Sequence, residues 1–94
     1  MNNVINNSVP DELDKIADRI NEYADDLVKD MKKLISTHQG MRKNWNGKQY
    51  DDFTRVIEST NAVICKQADK LAEISHEVHK DAKQLRIANA SNIG

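Results

Sequence analysis

Gly40-Met41-Arg42-Lys43-Asn44-Trp45-Asn46-Gly47-Lys48-Gln49 lies at the middle of a 94-residue chain and separates two long apolar-periodic stretches. It holds Gly40 and Gly47, while Pro10 and Gly94 lie near the ends. A reversal therefore belongs here, because Gly47 tolerates the backbone dihedrals that a sharp turn demands. Asn46 and Gln49 are spaced as an N-cap and its third-position partner for a following helix. Asp51 and Asp52 then fall in the first turn, where negative charge suits the helix dipole.

Working back from the turn, apolar side chains recur as Leu13, Ile16, Ile20, Tyr23 with Ala24, Leu27, Met31, Leu34 with Ile35, Met41 and Trp45. Steps of three and four residues are the helical signature. His38 is the polar step in this series, expected near the turn as a capped or solvent-reaching residue. Ser8-Val9-Pro10-Asp11 suits a helix start, with Ser8 as cap and Pro10 in the first turn. Working forward, the series is Phe53, Val56 with Ile57, Val63 with Ile64, Ala68, Leu71, Ile74, Val78, Ala82 and Leu85. Thr60 and Gln67 are polar members of that stripe, while Cys65 and Ile87 fall outside it.

These patterns predict an all-α fold: a flexible tail over 1–8, helix one over about 9–43, a turn over 44–47, helix two over about 48–88 and a fraying tail over 89–94. A short connection makes two long helices antiparallel neighbours. Each stripe spans roughly 140° at about 100° per residue, wider than one neighbouring helix covers. The surplus predicts that two hairpins, in a homodimer or heterodimer, complete a four-helix bundle. The packing and dimer face is expected from Leu13, Ile16, Ile20, Leu27, Met31, Leu34, Phe53, Ile57, Ile64, Leu71, Ile74, Val78 and Leu85.

Composition narrows the function. Hydrophobic residues make up 38% and charged residues 31%, with 14 Lys+Arg against 15 Asp+Glu. A formal charge of −1 excludes a basic nucleic-acid binder held by phosphate contacts. Residues 11–26 hold seven acidic against two basic residues, net −5, and residues 27–48 hold six basic against one acidic, net +5. An antiparallel hairpin sets the acidic half beside Lys80, Lys83 and Arg86, and brings Asp51 and Asp52 to the basic half. No apolar run reaches 18 residues, so no membrane span is expected. The start of the chain has no secretory signal pattern. A single cysteine, Cys65, excludes an intrachain disulfide and a Cys-rich zinc site.

Met41-x-x-x-Trp45-x-Gly47-x-x-x-x-x-Phe53, set between two long amphipathic stretches, resembles the Trp-x-Gly (WXG) family of small type VII secretion proteins, those like the early secreted antigenic target. The likeness covers roughly residues 9–88. It implies a leaderless helical hairpin, cytoplasmic before export and then secreted, virulence-associated, pairing with a related hairpin or a toxin's N-terminal region and engaging a secretion ATPase. Trp45 and Gly47 form the turn motif, with Trp45 lying across the open end of the core and its indole N–H reaching a carbonyl or water. The resemblance also implies a Tyr-x-x-x-Asp/Glu or His-x-x-x-Asp/Glu pattern on helix two. Here His76 is followed four residues later by Lys80, and His79 by Lys83. That departure implies a member exported with a partner that carries the signal.

His76 and His79 at i, i+3 form a metal-ligand spacing without evident further ligands, so no metal and no cofactor are expected. No phosphate loop, nucleophile motif or pocket-forming architecture is evident, and no enzyme activity is expected. The leading reading is a small substrate, helical partner or co-chaperone of type VII secretion, acting by protein–protein recognition and possible companion to a larger toxin. The alternative is an intracellular coiled-coil adaptor or structural protein unrelated to secretion.

Overall fold

A computed structural model describes residues 8–45 and 47–93. Helix α1 runs Ser8–Met41 and helix α2 runs Lys48–Ile93, and the two pack as a hairpin. The tail before residue 8, the Asn46 cap and Gly94 lie outside the described residues. Ser8 opens α1 as its first helical residue, and Pro10 is fully buried in the first turn. A proline there gives up only an amide that has no intrahelical partner.

Helix α1 stops at Met41, not near residue 43. The Met41 carbonyl accepts both Asn44 N–H at 3.0 Å and Trp45 N–H at 2.9 Å, closing the last turn. Gly47 has φ +101°, a left-handed value that an L side chain rarely adopts. Its carbonyl then accepts the Asp51 N–H at 3.0 Å and starts α2. At the far end α2 continues to Ile93, past the fraying point expected after residue 88. No glycine or proline interrupts residues 88–93, and buried Asn89 holds that stretch in place.

Burial follows a coiled-coil register. In α2, residues 50, 54, 57, 61, 64, 68, 71, 75, 78, 82, 85 and 89 are all buried or half-buried, and they alternate steps of four and three. In α1 the same rhythm runs through 10, 13, 17, 20, 24, 27 and 31. A sustained 3.5-residue repeat keeps one seam facing a partner helix. Taking 10, 17, 24, 31 and 38 in α1 and 54, 61, 68, 75, 82 and 89 in α2 as a positions, the d positions carry most of the larger apolar side chains.

The chain divides into two compact units. Unit 1 joins the start of α1, through Glu22, to α2 from Leu71 onward. Its buried seam residues are Pro10, Ala17, Ser75, Ala82 and Asn89, flanked by half-buried Leu13, Ile20, Leu71, Val78 and Leu85. Small side chains let helix backbones approach closely. The Ser75 hydroxyl uses that proximity to donate to the Ala17 carbonyl at 2.7 Å. Unit 2 spans Tyr23–Lys70 and contains the turn. Its seam is bulkier: Ala24, Met31, His38, Tyr50, Ile57 and Ala68 are buried, with Leu27, Ile35, Thr54, Asn61 and Ile64 half-buried.

Candidate recognition surface

In unit 2 the turn carries an aromatic cluster. His38 is 4% exposed, not solvent-reaching as its polarity suggested, and it stacks on Tyr50 with ring centroids 4.5 Å apart and planes 7° apart. The Tyr50 hydroxyl donates to the His38 carbonyl at 3.1 Å. Thr54 donates its hydroxyl to the Tyr50 carbonyl at 2.9 Å, so its oxygen accepts from His38 Nε2 at 2.7 Å. This network sets the tautomer with the proton on Nε2. Trp45 stands edge-on to Tyr50 at 5.8 Å and tilted to Phe53 at 6.0 Å. It remains 36% exposed and its indole N–H has no hydrogen bond among the described residues, so it is a partial lid and not a closed one. Tyr50, which the periodicity left out of the core, fills the space beneath it.

The two flanks of the seam differ. In an antiparallel pair, e positions face e positions and g positions face g. In unit 2 the e flank bears a cleft of about 300 Å³ lined by Ile35, Arg42, Asp51 and Glu58 beside His38 and Thr54. A pocket was not expected on a hairpin, and this one is open, with charged Arg42, Asp51 and Glu58 among its lining residues. The opposite flank carries a shallow groove of Leu27, Leu34 and Ile64 with Asp30 and Thr60. Exposed Phe53, Val56 and Val63 lie toward that side of α2 by register, as does Tyr23 on α1. In unit 1 exposed Val9, Ile16 and Ile74 occupy g positions, exposed Ile87 lies at an f position away from the seam, and the e flank is ionic.

That ionic flank joins Asp11, Asp14 and Asp18 of α1 to His79 and Arg86 of α2. Hydrogen bonds from His79 and Arg86 hold the Asp14 carboxyl below its ordinary range. The same carboxylate, with Asp18, raises His79 above its ordinary value of 6.5, against a smaller desolvation effect. The sequence paired the acidic half with Lys80, Lys83 and Arg86. Among the described residues only Arg86 of these makes the pairs, and His79 takes the remaining place. Near the turn, Asp52 pairs with Arg55 of its own helix at 2.9 Å rather than with the basic half of α1.

The residues expected on one packing and dimer face divide by exposure. Met31 and Ile57 are buried inside unit 2. Leu13, Ile20, Leu27, Ile64, Leu71, Val78 and Leu85 are half-buried in the seam. Ile16, Leu34, Phe53 and Ile74 stay exposed, each 39% or more. Thr60 and Gln67 are exposed, and Thr60 bonds only the Val56 carbonyl of its own helix, so neither is a seam residue. Cys65 is exposed with Asn61 Oδ1 at 3.6 Å from its sulfur. Among the described residues no three His, Cys, Asp or Glu side chains gather as a metal site, and no helix is long and apolar enough to cross a membrane.

A hairpin of two heptad-repeat helices, joined by a Trp-x-Gly turn and keeping an apolar flank outside its seam, is a small helical recognition protein. The family model described as "Proteins of 100 residues with WXG" matches residues 7–90, and the chain belongs to this WXG100 family of small proteins associated with type VII secretion. Proteins of the family typically form helical-hairpin dimers. Searches of curated proteins and of solved structures gave no match.

Proposed function

We propose that this protein is a substrate or helical partner of a type VII secretion system and works by protein–protein recognition. The observation that carries this reading is the apolar flank: Ile16, Leu34, Phe53 and Ile74 remain exposed although each helix already has a filled seam. Large apolar side chains left exposed in this way in each unit mark an interaction site on a small protein. A second hairpin laid on the g flank buries these side chains and makes a four-helix bundle. The charged e flank stays in water. The reading assigns no catalysis, cofactor or nucleic acid to the chain, and its route out of the cytoplasm is a secretion ATPase.

Two measurements test the proposal. Sedimentation of the purified chain, alone and with co-expressed small helical proteins, reports pairing at micromolar concentration. Ile16→Asp with Ile74→Asp should abolish pairing and leave helicity intact, since both side chains are exposed in the hairpin. In the native cell, the protein should reach the medium only while the membrane ATPase is active. A helical monomer that stays in the cytoplasm whatever companions are present would sink the reading in favour of an intracellular adaptor.

A further inference from the structure

Both ring nitrogens of His79 face carboxylates. Asp14 Oδ1 lies 2.7 Å from Nδ1, and Asp18 Oδ1 lies 3.1 Å from Nε2. An ionised carboxylate only accepts hydrogen bonds, and a neutral imidazole donates from one nitrogen alone. The geometry therefore requires an imidazolium ring. Asp14 is itself shared, with its Oδ2 2.7 Å from Arg86 Nη2, and the same nitrogen lies 2.7 Å from Asp11 Oδ1. We propose that His79 is a pH-operated clasp: protonated, it ties the first turns of α1 to the late part of α2, and deprotonated it releases Asp18 and loosens unit 1.

The surrounding packing gives the clasp leverage. The buried seam of unit 1 is Pro10, Ala17, Ser75, Ala82 and Asn89, and its larger apolar side chains, Leu13, Ile20, Leu71, Val78 and Leu85, are only half-buried. Asp18 is the partner that leaves, because its contact is the longer and its side chain is 68% exposed. The charged groups facing the ring from α1 are Asp14 and Asp18, with Asp11 beside them on Arg86. On α2 the neighbouring charged and titratable groups are Arg86, engaged by Asp14, with His76 and Lys83 at three and four residues along the same helix. The Asp14 and Asp18 carboxylates dominate at the ring, in agreement with the upward displacement of its titration.

The sign follows from linkage. His79 holds its proton more firmly folded than unfolded, so its contribution is complete below 6.5 and fades as pH rises through the folded value. Asp14 titrates low when folded, so its contribution is complete above 3.8 and fades as pH falls through the depressed value. Unit 1 is then held most firmly in the mildly acidic interval between them.

The test is amide hydrogen exchange on the full chain from pH 5 to 9, corrected for intrinsic rates, with the His79 ring nitrogens followed by NMR. Protection near Ala17 and Ala82 should fall about two- to fivefold as the ring deprotonates, as expected of exposed ion pairs. Protection near Met31 and Ile57 should not follow that titration. His79→Gln should flatten the response, and His76→Gln should leave it in place. The proposal is overturned if unit 1 protection ignores the His79 titration, if His79→Gln keeps the response, or if the ring is neutral at pH 6.

Discussion

Unit 1 and unit 2 are built on the same heptad register and filled with different chemistry. Unit 2 closes its seam with volume: Met31, Tyr50 and Ile57, and a His38 stacked flat on Tyr50. Unit 1 closes its seam with proximity: Ala17, Ala82 and a Ser75 hydroxyl bonded across to the Ala17 carbonyl, reinforced outside by carboxylates and cations. One repeat is thus stabilised by desolvation in one place and by hydrogen bonds and charge in another. The two regions should then fail under different insults.

Emptying unit 2 is the severest. Ile57→Ala removes a buried branched side chain and should cost about 2–4 kcal/mol in urea unfolding. Filling unit 1 comes next: Ala82→Leu forces bulk between close helices and should cost about 1–3 kcal/mol. If Ala82→Leu instead stabilises the chain, unit 1 is loosely packed and the contrast falls. Gly47→Ala meets no neighbouring atom within 4 Å, so its penalty is backbone strain alone, about 1–2 kcal/mol. Its effect should appear first in exchange of unit 2 amides around the turn. Ser75→Ala should cost about 1 kcal/mol, the usual worth of one hydrogen bond. It should raise exchange around Ala17 and leave Met31 untouched. Equal loss of protection in both units would show that they open as one and erase the distinction.

Much of this architecture is legible in the residues. The three-and-four spacing of large apolar side chains places both helices, and Trp45-Asn46-Gly47 places the reversal. Seam members that are small or polar are harder to read. Ala17, Ser75, Asn61 and Asn89 carry no hydropathy signal, yet strict heptad counting from Ala68 and Ala82 reaches Asn61, Ser75 and Asn89, and counting from Ala24 reaches Ala17. His38 looks like a surface residue until its register is counted back from Met31, seven residues earlier. The ends are harder still, because Ala88 and Ala90 favour helix while their neighbours read as loop. The ionic flank was visible as a charge imbalance along α1, but which α2 cations answer it depends on side-chain reach. On the recognition face, sequence marks a wide stripe, and packing decides which members are left outside.

The unbroken alternation of fours and threes in α2 has a cost in ambiguity. A repeating seam offers nearly the same fit after a slip of one heptad, just as a ruler with identical marks fits at many offsets. Three features carry an address: the His38–Thr54 bond, the Ser75–Ala17 bond and the six-residue span from Arg42 to Gly47. Each is satisfied at one offset alone. The polar residues within the seam thus act as index marks, telling otherwise interchangeable turns of helix which of their equals to meet.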